Sequence, residues 1–469
     1  MENGKSFVRS GITSSLFINA SGGSIVTRSL PIPTLIFLLV SPLTTFSQAV
    51  ADPSLLAEIN QIKAIDNHAH PLRYVGEGEK PDDEFDALPL DVIEPSIPSL
   101  RILPNNPEFI GAWKALYGYN YDDMSSQHVQ ELLALKRRVL GEQGQNFPVW
   151  VLDRLNIETM FANRIAMGSG LRVPRFRWVS FVDALLFPLS NETVKQSNRD
   201  YAAFYPKEEQ LSRRYLAESN LKALPPTLDQ YLSKVVTPTL ERQKQNGVVA
   251  LKFEAAYLRL LDFDKPEQTT AKSVYSRYLQ GGEPSASDYK SLQDYLFHYI
   301  AQEAGRLGLA IHIHCIDGGG GYYRASGSNP LLLESTFNDP TLRKTNFVIV
   351  HGGYPFTRQT TSMFGKPNVF ADFSAQTFLI YPRALSEVLR NWLESYPDRI
   401  LFGTDAFSFG PAIDWPELAW LSNTSGREAL ALALTGMMND GEITRERALK
   451  LARMVLRENA IRLYKLPGN

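Results

Sequence analysis

Phe347-Val348-Ile349-Val350-His351-Gly352-Gly353 reads as a buried strand that delivers one polar group at its exit. Four apolar residues in a row suit a strand covered on both faces, as in a parallel sheet. Working outward, comparable short apolar runs recur at residues 63–67, 157–166, 176–182, 248–253, 309–315, 346–350, 369–373 and 399–402. Helical stretches separate most of them, and residues 288–307 and 382–396 carry apolar side chains at a spacing near 3.6. Eight strands alternating with helices predict an α/β fold, a closed (β/α)8 TIM barrel. The competing open, doubly wound sheet lacks its usual signal, because no Gly-x-Gly-x-x-Gly turn follows an early strand.

Two insertions interrupt the alternation. Residues 72–156 lie between the first two strands and are expected to form a helical cap. Residues 183–246 lie between the third and fourth strands, with 228–245 the clearest helical piece. Both start where a strand ends, at the C-terminal face that carries barrel active sites. A last helix is expected to begin near Ile443, with Thr444 as its N-cap.

Bulk properties agree with one large globular barrel. The chain has 469 residues, 44% hydrophobic and 21% charged, with a net charge of -2. That balance gives no basic stripe for a nucleic acid. A single cysteine, Cys315, excludes an intrachain disulfide. Residues 1–51 differ from the rest and read as a leader, with 52–469 as the barrel. The apolar run PIPTLIFLLVSPL at 31–43 follows Arg28 and precedes small-x-small sites, as in a secretory signal. The run is short for a membrane span, which needs about 20 residues. An exported, periplasmic or extracellular enzyme is expected; a non-functional leader would leave it cytoplasmic.

The chemistry-bearing residues fall at strand exits. Of seven histidines, His68, His70, His314 and His351 do so. His68 and His70 are two apart and share one face of an extended chain. His312 and His314 also share a face, with His314 nearer the exit and His312 deeper, where it suits a hydrogen-bonded core role. Asp405 ends the eighth strand and could ligate a metal, act as a base or cap a helix. Lys252 interrupts the apolar run of the fourth strand, where an unpaired ammonium is costly. It could be a neutral amine open to carbamylation, or the partner of an inward acid such as Glu254. Each residue alone also fits an ordinary core or turn position. Their joint order, His-x-His, Lys, His, His, Asp on strands one, four, five, six and eight, points to a metal site.

In that order, and in Ala64-Ile65-Asp66-Asn67-His68-Ala69-His70-Pro71, Asn329-Pro330-Leu331-Leu332, His351-Gly352-Gly353-Tyr354-Pro355, Leu401-Phe402-Gly403-Thr404-Asp405 and Asn459-Ala460-Ile461-Arg462-Leu463-Tyr464, the chain resembles the amidohydrolase superfamily. The resembling branch is the amidohydrolase-related (amidohydrolase 2) one. It includes the amidohydrolase-like part of nodulin/FluG-type proteins, aromatic-acid decarboxylases and, more distantly, uronate isomerases. The resemblance covers roughly residues 62–466.

It implies one or two divalent metals. His68, His70 and Asp405 would hold the more buried one, and His314 and His351 would complete the site. Lys252 stands where two-metal members carry a carbamylated lysine. Nitrogen and oxygen donors suit zinc, and Mn, Ni or Fe also fit. Asp405 and His351 are the catalytic candidates, with Asp405 as general base and then acid. Tyr257, Arg259, Tyr323 and Arg324 are substrate-binding candidates, the first two for a substrate carboxylate. The glycine-rich loop 317–321 is expected to close over the pocket, Arg358 to line its mouth and Tyr354 to form part of its wall. The implied activity is hydrolysis of an amide, ester or lactone-type bond of a small, carboxylated or neutral substrate. The alternatives are a decarboxylase or uronate-isomerase-like enzyme on the same residues, and a non-catalytic binding barrel. Barrels of this kind often pair, so a homo-oligomer is a further expectation.

Overall fold

The computed structural model describes residues 50–87, 99–265, 267–316 and 318–467. Residues 1–49 of the leader, with its 31–43 apolar run, and Asp317 lie outside the described residues. Eight parallel strands run in the order β1 to β8 without a crossover. They are β1 (Ala64–Ala69), β2 (Ile157–Arg164), β3 (Phe176–Phe181), β4 (Val248–Phe253), β5 (Ala310–His314), β6 (Phe347–Val350), β7 (Val369–Asp372) and β8 (Ile400–Leu401). Three backbone hydrogen bonds close the ring between β1 and the segment leaving β8. Asn67 N donates to Phe402 O at 2.8 Å, Asp405 N to His68 O at 2.7 Å and His70 N to Ala406 O at 2.8 Å. The molecule is a TIM barrel.

Alternation along each strand sorts side chains between two cores. Leu251 and Phe253 of β4, Ile311 and Ile313 of β5, and Phe347 and Ile349 of β6 join the cluster packed against the helices. Ile65, Val179, Ala250, Ala310, Val348 and Leu401 form a separate core inside the barrel. Ala460 and Leu463 from the helix Asn459–Tyr464 belong to that inner core. The inner parity then carries Ala250 on to Lys252, and Ala310 on to His312 and His314. Register agrees, because Lys252 pairs with His312 across β4 and β5.

The insertions are helical. The first contains Glu108–Tyr117, Ser126–Gln143 and Phe147–Arg154. Phe109, Trp113 and Leu152 from these helices share a core with Ile316, Ala375, Phe378 and Ala406, which follow β5, β7 and β8. The insertion therefore packs on the strand-exit face. Arg101, fully buried, ties it down by donating to Thr377 O, Ile380 O, Glu108 and Ser425. In the second insertion, residues 228–245 form a helix with a π segment at Leu232–Val236. Near the C-terminus Thr444 caps the helix Arg445–Arg453, its side chain accepting from Arg447 N.

Candidate metal centre

β1 does not run smoothly to its histidines. Its register shifts between Asp66 and Ala69, as at a β-bulge, which re-aims side chains. Ile65 faces the barrel interior below the shift, and His68 and His70 converge on the site above it. Their Nε2 atoms stand 3.4 Å apart. Asp405 Oδ1 lies 3.1 Å from His68 Nε2 and 3.6 Å from His70 Nε2. These donor atoms all fall within 4.8 Å of one another, a spacing that could hold a metal ion.

His351 arrives by a different route. Strict alternation would place it with Phe347 and Ile349, against the helices. The strand stops at Val350 instead, and His351 adopts φ 63°. Its Nδ1 then lies 2.9 Å from Ser374 Oγ and 3.8 Å from Asp405 Oδ2, and its Nε2 lies 3.1 Å from His314 Nδ1. His314 and His351 thus pair with each other beside the His68–His70–Asp405 set rather than within it. His314 Nε2 has no hydrogen-bond partner among the described residues. Burial keeps the imidazoles of His68, His314 and His351 well below the usual histidine range, with Lys252 adding to the effect. They are neutral, the state in which imidazole ligates a metal. The 3.1 Å contact of His68 with Asp405 is accordingly no ion pair. Burial raises the Asp405 carboxyl well above the carboxylate range, and Lys252 opposes the rise.

Lys252 is buried, its Nζ 3.4 Å from His68 Nε2 and 3.9 Å from Glu254 Oε1. The inward acid raised by its position in the sequence is therefore present. His312 takes the core role, with Nε2 2.6 Å from the Tyr464 hydroxyl. Tyr464 in turn donates to Asn67 Oδ1 at 2.5 Å, so the C-terminal helix braces β1 and β5 from within the barrel.

A supporting layer escaped the sequence reading. Asp372, at the end of β7, accepts from His351 N at 3.0 Å, Ser374 N at 3.1 Å, Ser374 Oγ at 2.5 Å and Asn67 Nδ2 at 2.8 Å. Asp66 accepts from the Thr404 hydroxyl at 2.6 Å and Thr404 N at 2.9 Å, fixing the turn before Asp405. Burial still pushes the Asp66 carboxyl up to about 7. The Asn163 amide nitrogen sits 2.9 Å from His68 Nδ1. A carboxylate at a strand exit was a readable signal for Asp372, as was an amide inside an apolar strand for Asn163.

A cavity of about 190 Å³ opens onto these groups, lined by His70, Glu254, Tyr257, His314, His351 and Asp405. Ile102, Ile316, Phe378, Leu379 and Phe407 form its apolar wall. No arginine or lysine lines it among the described residues. Of the substrate-binding candidates only Tyr257 is there. Arg259, Tyr323 and Arg324 line a separate cavity of about 370 Å³. Arg259 is held by Asp294 at 2.7 Å and Gln293 at 3.1 Å and lies over the Phe263 ring. Arg358 lines a further cavity, with Glu387 and Arg390, and Tyr354 joins the core of the first insertion.

The glycine-rich loop contributes Gly318 and Gly319 to the wall. Tyr201 donates to Gly319 O at 2.5 Å, and Asp200 accepts from Gly321 N at 3.1 Å and Tyr322 N at 2.9 Å. Two charge-assisted bonds of about 1.5 kcal/mol or more each hold the loop. Asp200→Ala should therefore speed hydrogen exchange at Gly321 and Tyr322 by roughly tenfold or more. Unchanged exchange would mean the loop is held elsewhere.

Residues 278–466 match the sequence model of the amidohydrolase family. A stretch of 141 residues, 30% of this chain, is 33% identical to protein fluG of Emericella nidulans and spans 15% of that protein. A crystal structure described as a metal-dependent hydrolase from Lactobacillus casei matches with a TM-score of 0.55 and 16% identity, over 88% of this chain and 97% of that one. The uronate isomerase of Thermotoga maritima matches with a TM-score of 0.58 and 13% identity, over 89% and 98%. At such identities the structural likeness speaks for the barrel alone. The match of residues 278–466 to the amidohydrolase model, the eight-stranded barrel and the histidines and aspartate gathered at its strand exits together support an amidohydrolase-related enzyme.

Proposed function

We propose that this enzyme is a metal-dependent hydrolase cleaving an amide, ester or lactone-type bond of a small, largely apolar substrate. The observation that carries the reading is the convergence of His68 Nε2, His70 Nε2 and Asp405 Oδ1 beside a cavity. The donor set fits a divalent ion. Two imidazoles and a carboxylate match zinc. An ion bound there supplies Lewis-acid polarisation and lowers the pKa of water toward about 7.

The chain's own groups do the rest. Asp405, its carboxyl raised by burial, is suited to take a proton from water and return it to the leaving group. His314 lines the cavity, and its Nε2, unprotonated when Nδ1 donates to His351, can accept from a substrate hydroxyl or ligate a metal ion. Asp372 and Ser374 hold His351 beside it. The apolar wall receives the uncharged part of the substrate and limits water. A cavity wall without Arg or Lys among the described residues favours neutral substrates over uronates, which present a carboxylate. The leader at 1–51 supports export, tested by sequencing the N-terminus of the mature protein.

Metal content tests the reading directly. Protein purified without chelator should carry about one or two equivalents of zinc or another divalent metal by mass spectrometry, and His70→Ala should lose them. A screen of neutral and carboxylated amides, esters and lactones should then favour the neutral compounds. Carbon dioxide release or aldose–ketose interconversion would instead assign a decarboxylase or isomerase. No uptake of Zn, Mn or Ni would sink the mechanism.

A further inference from the structure

On the other edge of the His70 ring lies a second convergence that the reaction above does not use. His70 Nδ1 stands 2.9 Å from Asp86 Oδ2, without the alignment of a hydrogen bond. A carboxylate oxygen of Glu254 completes a set whose donor atoms lie within 4.8 Å of one another. All three residues are buried.

Two further acids stand behind them. Asp183 accepts from Glu254 N at 2.8 Å through Oδ2, and its Oδ1 has no partner. Glu208 is 1% exposed, and neither of its oxygens has a partner. It lies within electrostatic reach of Asp183 and Asp86. Glu254 Oε2 is unpartnered as well. Lys252 lies within electrostatic reach of Asp183 and Glu254 and stands 3.9 Å from Glu254. Buried carboxylates without hydrogen bonds are costly unless protonated or matched by a cation. The site also has two openings. Glu254 lines the cavity of the metal centre, and Asp86 lines an outer cavity of about 430 Å³ with Asp82, Asp83 and Glu84.

We propose that His70 Nδ1, Asp86 and Glu254 bind a second divalent ion, with Glu208 and Asp183 as outer carboxylates. One nitrogen among several carboxylate oxygens suits manganese, with zinc the next choice. The site uses the opposite ring nitrogen from the His68–Asp405 centre and does not depend on the hydrolase reading. When both centres are filled, His70 bridges the two ions and its ring N–H proton passes to solvent. The arrangement differs from one bridged by a carbamylated Lys252, because the lysine is not a ligand.

The test is metal stoichiometry of the full chain after loading with Mn²⁺ or Zn²⁺ alone. Wild type should bind about two equivalents. Asp86→Asn and Glu254→Gln should each bind one, as should His68→Ala, which keeps the second centre. Lys252→Met should keep both. Retention of wild-type stoichiometry in Asp86→Asn and Glu254→Gln overturns the proposal, and loss of one ion in Lys252→Met alone assigns the bridging lysine instead. Should a variant fail to fold, anomalous scattering from wild-type crystals at the manganese edge decides. A peak among His70 Nδ1, Asp86 and Glu254 supports the site, and a peak at His68 and Asp405 alone overturns it. If Asp86→Asn loses an ion while His68→Ala loses none, the hydrolase reading fails and this site stands.

Discussion

Asp405→Asn should lower kcat/KM on any hydrolysed substrate by about 10³-fold or more while leaving the fold intact. General acid–base catalysis alone contributes about 10² to 10⁴. Asparagine also replaces one of the two carboxyl oxygens, of which Oδ1 lies 3.1 Å from His68 Nε2 and 3.6 Å from His70 Nε2, and with it the oxygen that would ligate a metal ion. The backbone can accept the change. Asp405 has φ 55°, and asparagine is among the few residues that tolerate that region. Asp405 N keeps its bond to His68 O, so the barrel stays closed. The metal-free variant should not be less stable at neutral pH. Burial raises the folded-state pKa of Asp405 above its unfolded value. Its ionisation therefore costs stability as pH rises from the unfolded pKa through the folded one, and asparagine removes that cost. Thermal unfolding of apo protein at pH 5 and pH 8 checks the sign. Activity within tenfold of wild type would remove Asp405 from the proton path.

How far the site could be read from the chain depended on whether the signal was local. The eight strands lie within a few residues of the apolar runs, because a strand buried on both faces is written as a continuous apolar segment. The joint facing of His68 and His70 follows from a period of two. The bulge that turns both inward does not, because it is set by pairing with β2. His351 was legible as a polar strand exit, but its left-handed backbone depends on the turn that follows. Arg259 shows the limit of proximity in sequence. It follows β4 closely, yet Gln293 and Asp294, on the helix Ala286–Leu307, capture it away from the cavity. Asp86 carried no local signal, since it sits in an irregular stretch and meets His70 only in the fold. The helix Trp415–Asn439 was passed over because it is buried on most of its surface and shows little amphipathic contrast. Its capping box, Asp414 with Glu417, was the readable cue.

Gly352→Ala should be strongly damaging to both stability and activity. Gly352 follows His351 with φ 60°. An alanine there meets strain of about 1–2 kcal/mol from the left-handed conformation. Its Cβ would also lie 2.4 Å from Trp392 Cη2, 2.7 Å from Gln376 Nε2 and 3.0 Å from Asp372 O. Trp392 is fully buried, and its indole nitrogen donates to Thr357 O at 3.1 Å, so it cannot swing aside. Gln376 donates to His351 O at 2.9 Å, and moving it releases the turn that aims the imidazole. Overpacking of this kind adds about 1–3 kcal/mol. The sum, about 2–5 kcal/mol, should appear as a lowered denaturation midpoint. Activity should fall by about 10²-fold or more even in folded protein, as expected for a displacement near 1 Å at a catalytic group. Gly308→Ala separates the two causes. Gly308 ends the helix Ala286–Leu307 at φ 66°, and an added Cβ there meets nothing within 4 Å. It should lose the backbone strain alone, about 1–2 kcal/mol, and keep full activity. Equal losses in the two variants would show that backbone strain, and not the closed packing behind His351, fixes the turn.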